Sequence, residues 1–543
     1  MSIPVVRLAP TSQWDQNVLN QLFDNKLFPT GYEFTNHERI GELPKESDMH
    51  GCILLIPGRY WHDRTDEIND YVNQFSWVLA IRTGDEQDLF DIKRIVHRNI
   101  RWWVQTPSVG RDYGDVRKFG VGWTPHFNYG HTGLPSVLIP RPPDVGIDVF
   151  LSAQNTQPRR FEAFASMNCM PGVNMVRNET RGFTQGLAPH LYTQYMIHSR
   201  VALAPGGPES PDTFRLYEAL QAHCVPVADD QSANHDSAGY WRMLFPDAPF
   251  PILDRWIDAP GIVKQALSDH PKNANRITAW WMREKRRYVN WLHEDLDQLR
   301  LTRWHEGDIS PITAVVPVSP IPSHPNTVVI EETINSIRRW LPDSEIIVTF
   351  DGVRPEQESM RDDYEESIRR TLWMCDHHWR NVTPLIFDEH QHQSGMMSVA
   401  LQHIRTPLLM YVEQDTPLVT DEPINWNEIT ANLITGRADL IRFHHESHVL
   451  DVHMHLMQER DGMLWRTTQW SQRPHVASKQ FYMNAMTHLT PNARCFIEEK
   501  FASVAQQQPG WKLFLYCPDG NVKRSYHLDG RAGGPKFELS QTF

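Results

Sequence analysis

Two acidic residues flank one other in Glu413-Gln414-Asp415, directly after the apolar run 407–412 (PLLMYV). Carboxylates spaced this way at a strand terminus can hold a divalent cation, and oxygen ligands suit Mg2+ or Mn2+. Such an ion neutralises the departing oxygens of a diphosphate. A second acid, Asp351, follows the apolar run 345–350 and precedes Gly352. There it can meet a base or a ribose at the edge of an open sheet. A third constellation lies in the first half of the chain, where an apolar strand, 201–204, runs into a Gly/Pro loop. Ser210 or Asp212 can cap the helix that follows, whose unpaired N–H groups and positive dipole end attract an anion. Arg215 in its first turns can fork onto a diphosphate. Glu218, one turn further on, can accept hydrogen bonds from a ribose diol.

Two other stretches carry polar chemistry. Arg442-Phe443-His444-His445-Glu446-Ser447-His448 sets imidazoles and acids beside an expected strand. It lacks a second ligand set at zinc-site spacing, so it reads as an acceptor wall in which His445 hydrogen-bonds a polar substrate. In 469–475 (QWSQRPH), Trp470 offers a plane for a sugar or a base, and Gln472 and Arg473 can read polar edges.

These residues need a scaffold, and the chain provides α/β alternation. Short β-branched runs at 52–57, 77–81 and 102–105 form a first set of expected strands. Residues 140–143 (PRPP) read as a linker, because consecutive prolines continue neither a helix nor a central strand. A second set follows at 148–152, 200–204 and 224–227, closed by a long helical pattern over 274–300. A third set opens at 312–318 and continues at 345–350 and 407–412, with helices over 331–340 and 391–403. The polar stretch 302–310 reads as a hinge. At roughly 150 residues per domain, 543 residues allow about three to four such units. With 40% hydrophobic and 22% charged residues, a disordered chain, a collagen and a coiled-coil rod are excluded.

The net charge of −13 excludes a protein that works by gripping nucleic-acid phosphates over its whole surface. Nucleic acid would need a local basic strip. Two are available: Lys523, Arg524, Arg531 and Lys536 in the tail, or Arg283, Lys285, Arg286 and Arg287 in the long helix. The N-terminus has no signal-peptide pattern, and no apolar stretch approaches the ~18 residues of a membrane span. The six cysteines form no CxxC pair, which favours reduced thiols and a cytoplasmic setting.

The wording of the motifs adds resemblances. Ser-x-x-x-x-Arg215-Leu-Tyr-Glu218-Ala-Leu-x-Ala-x-Cys-Val-Pro-Val resembles the donor-site motif of exostosin-like glycosyltransferases (family 47, GT-B fold). Residues 151–160, ending in Arg159-Arg160, resemble that family's first donor-half strand and basic loop. The resemblance implies a sugar-nucleotide site with Arg159 or Arg160 and Arg215 on the diphosphate, Ser210 beside them and Glu218 on the ribose. His223 stands where that family usually has Gly. The run from 312 through Asp351 to Glu413-Gln-Asp415 resembles GT-A glycosyltransferases, with EQD in place of DxD. It implies a metal held by Glu413, Asp415 and His527. It also implies nucleotide contacts from Asp351 and Arg524, and a catalytic base in the pair Glu498-Glu499, with Glu499 preferred.

The C-terminal wording SHPNTVVIEETI, TFDGVRPEQE, EQDTPLV, QWSQRPH and HLDGR also resembles TET-associated glycosyltransferases of bacteriophage and bacteria. That family is inferred to glycosylate hydroxymethylated pyrimidines in DNA. The expected protein is therefore an α/β chain of two Rossmann-like units of GT-B type, 1–142 and 143–301, followed by a GT-A domain, 310–543. It is expected to be a two-module transferase using a nucleotide sugar, with a UDP-sugar as donor and Mn2+ or Mg2+ as cofactor. Its expected acceptor is 5-hydroxymethylcytosine in phage DNA, in the host cytoplasm. A polysaccharide or protein acceptor is the alternative, and so is a non-catalytic N-terminal half that only positions the acceptor.

Overall fold

The computed structural model describes residues 3–8, 19, 32–37, 50–127, 146–182, 185–231, 239–300, 310–446, 448–489, 493–508, 510–518 and 523–528. The expected linker at 140–143 lies outside these residues. So does nearly all of the expected hinge at 302–310, together with Arg531 and Lys536. The chain divides into two compact units, Met1–His305 and Glu306–Phe543. No described helix is long and apolar enough to cross a membrane.

The first unit contains two sheets. One has six strands: β1 (Ile3–Leu8), β2 (Tyr32–His37), β3 (Gly51–Pro57), β4 (Trp77–Thr83), β5 (Ile100–Gln105) and β6 (Arg117–Phe119). They lie in the order β2-β1-β3-β4-β5-β6, every pair parallel. Strands β3 and β4 are buried at every position. That is why they read as unbroken apolar runs rather than as alternation. The second sheet comprises β7 (Ile147–Gln154), β8 (Met175–Thr180), β9 (Ser199–Ala204), β10 (Val225–Asp229) and β11 (Ile252–Leu253). Its order is β11-β10-β9-β7-β8, again all parallel.

Three helices of this unit matter below: α1 (Pro158–Ser166), α2 (Phe214–Gln221) and α3 (Lys272–Arg300). Helix α3 packs against both sheets' surroundings. Trp281 donates to Gln221 of α2 at 2.8 Å. Further along, Asp295 accepts from Trp103 of β5 at 2.7 Å, and the Leu299 carbonyl accepts from Asn99 at 2.9 Å. Its aromatic residues are therefore core, and its basic residues are engaged as well. Lys285 donates to Gln221 at 2.8 Å, and Arg287 pairs with Glu284 and covers Trp291 at 4.8 Å. None of Arg283, Lys285, Arg286 and Arg287 is exposed. The basic strip expected on this helix is thus not an open surface for DNA, because the helical period turns these stems into the unit.

The second unit is built on one nine-stranded mixed sheet. Its strands are β12 (Ile312–Val318), β13 (Ile346–Phe350), β14 (Val382–Ile386), β15 (Leu408–Tyr411), β16 (Leu440–Phe443), β17 (Met457–Asp461), β18 (Leu464–Thr467), β19 (His475–Ser478) and β20 (Leu513–Tyr516). The order is β14-β13-β12-β15-β19-β16-β20-β18-β17. Strands β12 to β15 are mutually parallel, while β19 runs antiparallel to both β15 and β16. Helices α4 (Val328–Trp340), α5 (His392–His403) and α6 (Ile497–Gln507) flank it.

Candidate active site

The chain runs from β12 outward to β13 and β14, then returns to place β15 on the other side of β12. At such a reversal the connections leave in opposite directions and open a crevice at the strands' carboxyl ends. Asp351 stands there directly after β13, and Glu413-Gln414-Asp415 begins two residues after the end of β15. Gln414 is the fixed member of the triplet. It is buried, its Nε2 donates to the Ser319 carbonyl at 3.2 Å, and its own carbonyl accepts from Thr333 at 2.6 Å. Locking the middle residue turns the two acids outward on either side of it.

Asp351 is 3% exposed and its carboxylate is fully occupied. It accepts from the backbone N–H of Gly352 at 2.9 Å, of Gln391 at 2.6 Å and of His392 at 3.1 Å. His390 Nδ1 lies 2.8 Å from the same group. The expected nucleotide-contacting acid therefore grips the loop leading into α5. Gly352 permits this grip, since a Cβ there would stand 2.2 Å from the Glu389 carbonyl carbon.

Across the crevice, Asp415 Oδ2 lies 3.7 Å from His527 Nδ1, and the His527 ring meets that of His445 edge-on with centroids 5.6 Å apart. The Asp415 backbone carbonyl also accepts from Leu528 N–H at 3.0 Å, which brings the tail segment into register. Glu413 turns elsewhere and accepts from Gln393 Nε2 at 2.6 Å. Burial, Asp415 and Glu498 push its carboxyl up to about 8. The three expected ligands do not form a set with donor atoms all within 4.8 Å of one another. The structure thus gives an oxygen–nitrogen pair, Asp415 with His527, and a flanking acid, Glu413, strained by neighbouring negative charge. Acids grouped in this way suit a divalent cation, and a diphosphate can complete its oxygen shell.

Helix α6 carries the acidic pair in its first turn. Glu498 accepts from the Gln472 N–H at 2.9 Å and from Ser471 Oγ at 3.4 Å. Both acids are exposed; Glu498 also acts electrostatically on Glu413 and Glu499 on His392, and Glu499 makes no hydrogen bond among the described residues. Arg524, expected on the nucleotide, is 4% exposed; it donates to the Pro423 carbonyl at 3.0 Å and lies over the Tyr516 ring at 5.8 Å. It anchors the returning tail, whose Ser525 bridges to Leu418.

The expected acceptor wall needs correcting at Trp470. That ring is 3% exposed and packs edge-on against Phe501 at 4.7 Å, beside Tyr482 and Trp511. Its indole N–H is satisfied at 2.8 Å by Gln472 Oε1, and Gln472 itself is 2% exposed. Neither presents a face to a substrate. Sequence spacing could not separate a core tryptophan from a stacking platform, because both are flanked by polar residues. Trp470→Ala should therefore cost about 3–5 kcal/mol of stability, measured by thermal or urea unfolding. An unchanged midpoint would return the ring to the surface. Arg473 is half-buried near Glu413, and His445 is buried against His527.

In the first unit, the loop 205–213 follows β9 and leads into α2. Thr213 occupies the N-cap with no side-chain capping bond. Ser210 Oγ instead accepts from the Asp212 N–H at 3.1 Å. Asp212 accepts from Thr106, Val121 N–H, Tyr217 and Tyr240, so it knits the loop to the first sheet's side of the unit. Arg159 is committed to buried Asp229 through Nε at 2.9 Å and through Nη2. Arg160 is different. Among the described residues it donates only to the carbonyls of Gly206 at 3.2 Å and Gln154 at 3.4 Å, and burial beside Arg215 pulls its guanidinium down to about 9.

Arg215 donates to the Ser152 carbonyl at 2.6 Å and to Thr213 Oγ1 at 3.4 Å. Among the described residues neither Arg160 nor Arg215 has a carboxylate ion pair. Two neighbouring guanidiniums held by carbonyls can attract an anion, with Glu218 acting on Arg215 and Glu86 on Arg160 as counter-charges. Of the two alternatives, Arg160 is the one that lies beside Arg215, while Arg159 is engaged by Asp229. Glu218 is buried, accepts from Thr124 Oγ1 at 2.7 Å and Tyr192 OH at 2.8 Å, and has its pKa raised by burial. His223, at the usual glycine position, adopts the left-handed conformation with φ 57°. The tight turn after α2 is thus kept without glycine.

No protein-family model matches the chain, and no curated protein matches it. Similar solved structures include S. aureus TarS, at 11% identity over 41% of this chain and 37% of that chain, with a TM-score of 0.27. TarS 1–349 in complex with UDP-GlcNAc matches at 11% identity over 40% of this chain and 57% of that one, TM-score 0.27. GalNAc-T7 with UDP, GalNAc and Mn2+ matches at 14% identity over 41% and 45%, TM-score 0.28. This chain spans less than two thirds of each of them, and similarity at that level assigns it no activity.

Proposed function

We propose that the second unit is a nucleotide-sugar-dependent glycosyltransferase of GT-A type. The observation that supports this reading is the crevice at the strand reversal: Asp415 lies beside His527 there, Glu413 flanks them, and α6, whose first turn carries Glu498 and Glu499, is tied to Glu413 through Gln393. Asp415 and His527, with Glu413 beside them, would hold Mn2+ or Mg2+. When bound, the ion supplies charge neutralisation to a leaving nucleoside diphosphate. Glu499 takes the proton of the acceptor hydroxyl as its oxygen attacks the anomeric carbon. The bond from that carbon to the diphosphate oxygen breaks, and its electron pair leaves with the nucleotide. A single displacement of this kind inverts the anomeric centre.

The first unit is, on this reading, a separate GT-B-type module, with Arg160 and Arg215 on a donor diphosphate. Glu218 and Tyr192 form the wall nearest a ribose. For the acceptor we favour hydroxymethylated pyrimidine in DNA, on the segment wording of the C-terminal unit. A glycan or protein acceptor is favoured instead by the engaged basic residues of α3. Incubating 5-hydroxymethylcytosine DNA with the protein, Mn2+ and a mixture of UDP-sugars separates these. A nucleoside heavier by one sugar supports the DNA reading. Transfer to a glycan or protein with no change in the nucleosides contradicts it.

A further inference from the structure

Helix α5 begins beside the crevice, and its second residue reaches both walls. Gln393 Nε2 donates to Glu413 Oε1 at 2.6 Å, while Gln393 Oε1 accepts from the Ile497 N–H at 3.2 Å. Ile497 is the first residue of α6, the helix that carries Glu498 and Glu499. The amide orientation is dictated by its neighbours. Reversed, it would set two donors face to face at Ile497.

Ser394 reinforces the joint. Its Oγ donates to the Ala493 carbonyl at 2.6 Å and accepts from the Cys495 N–H at 2.9 Å, and its own N–H donates to the Cys495 carbonyl at 3.3 Å. The other end of this lattice is fixed by Asp351, whose carboxylate holds the Gln391 and His392 N–H groups. One short segment, 391–394, thus connects Asp351, Glu413 and the start of α6. No other described side chain is recorded bonding both Glu413 and the backbone of α6.

We propose that Gln393 is a positioning residue of the transfer reaction: its amide fixes the helix bearing Glu499 relative to the acid Glu413, and so sets the reach of the base to the acceptor hydroxyl. The inference rests on the transferase reading of the crevice. A carboxylate must lie within hydrogen-bond reach of the proton it removes. A displacement of about 1 Å at a distance from the reacting atoms can cost on the order of 100-fold. The Gln393 amide is engaged at both its nitrogen and its oxygen, by Glu413 and by the Ile497 N–H. Its loss should therefore fall on the chemical step and spare donor binding.

Two substitutions in the full-length protein separate positioning from simple helix capping. Gln393→Met keeps the volume and removes both bonds. Gln393→Glu keeps an acceptor for the Ile497 N–H at a helix N-terminus, where negative charge is favourable. It removes the N–H donor to Glu413 and sets a second carboxyl group against it. The readouts are UDP release from a panel of UDP-sugars with 5-hydroxymethylcytosine DNA or water as acceptor, UDP affinity by calorimetry, and the unfolding midpoint.

Both variants should lower kcat about 10- to 100-fold, with donor KM and UDP affinity within about two-fold of the parent. Gln393→Glu should do so without a lower unfolding midpoint. Parental kcat in Gln393→Glu would reduce the residue to a cap and overturn the inference, leaving the transferase reading intact. Loss of UDP affinity in step with kcat would also overturn it, by placing Gln393 in the donor site. A parent protein that neither binds UDP nor releases it from any of the sugars would remove the transferase reading and this inference together.

Discussion

Replacing Glu499 with Gln should lower turnover by about 10²–10⁴-fold, the usual worth of a positioned general base. An acceptor hydroxyl is a poor nucleophile until its proton is taken, and Gln cannot take it. Donor affinity should hold within about two-fold, because the lost interaction arises only as the acceptor reacts. Glu498→Gln should do less. Its carboxylate already accepts from Gln472 N–H and Ser471, and an amide oxygen can keep the first of these bonds. Successive helical residues point about 100° apart, so the two carboxylates cannot share one role. Steady-state kinetics on the two variants decides the matter. The reverse ranking would move the base to Glu498, and two silent variants would require a base from another element.

The second large effect concerns the cation. Chelation should reduce activity at least ~100-fold, with recovery in Mn2+ or Mg2+, since the ion supplies several kcal/mol of charge stabilisation. Asp415→Asn should prevent that recovery while preserving shape. Glu413 provides a readout independent of activity. Its carboxyl is raised to about 8, chiefly by burial and then by Asp415 and Glu498. A carboxyl raised in the folded state favours folding fully below its unfolded value near 4.3. That contribution is lost as pH rises toward and through about 8. The metal-free protein should therefore lose unfolding free energy between pH 5 and pH 8.5, by up to a few kcal/mol. A bound cation favours the ionised form and should flatten the loss. A midpoint equally pH-dependent with and without Mn2+ would separate Glu413 from the ion.

Much of the scaffold was legible because buried parallel strands announce themselves as continuous apolar runs. Residues 312–318 are a strand at both boundaries expected, and the expected helix at 274–300 begins only two residues earlier in the structure. Strand β2 (YEFTNH) was not legible, since its polar residues break the apolar signal, and neither was β8, whose positions are mostly half-buried or exposed. The acids at strand ends were visible from the sequence, but their partners were not. Asp351 looks like a free carboxylate until the fold brings in N–H groups from 391 and 392. Arg159 and Arg160 are interchangeable in the sequence, and only packing reveals Asp229 beside the first and Arg215 beside the second. Gln393 carried a weak signal, one of three glutamines in an expected helix, and its two bonds span separations of 20 and 104 residues.

The proposed function stands most directly on nucleotide binding at the crevice. Calorimetric titration of UDP into the protein, with and without Mn2+, and repeated with Asp415→Asn, measures it. The expected result is saturable binding that strengthens with Mn2+ in the parent and loses that gain in Asp415→Asn. UDP binding indifferent to both Mn2+ and the substitution, or no binding at all, would contradict it.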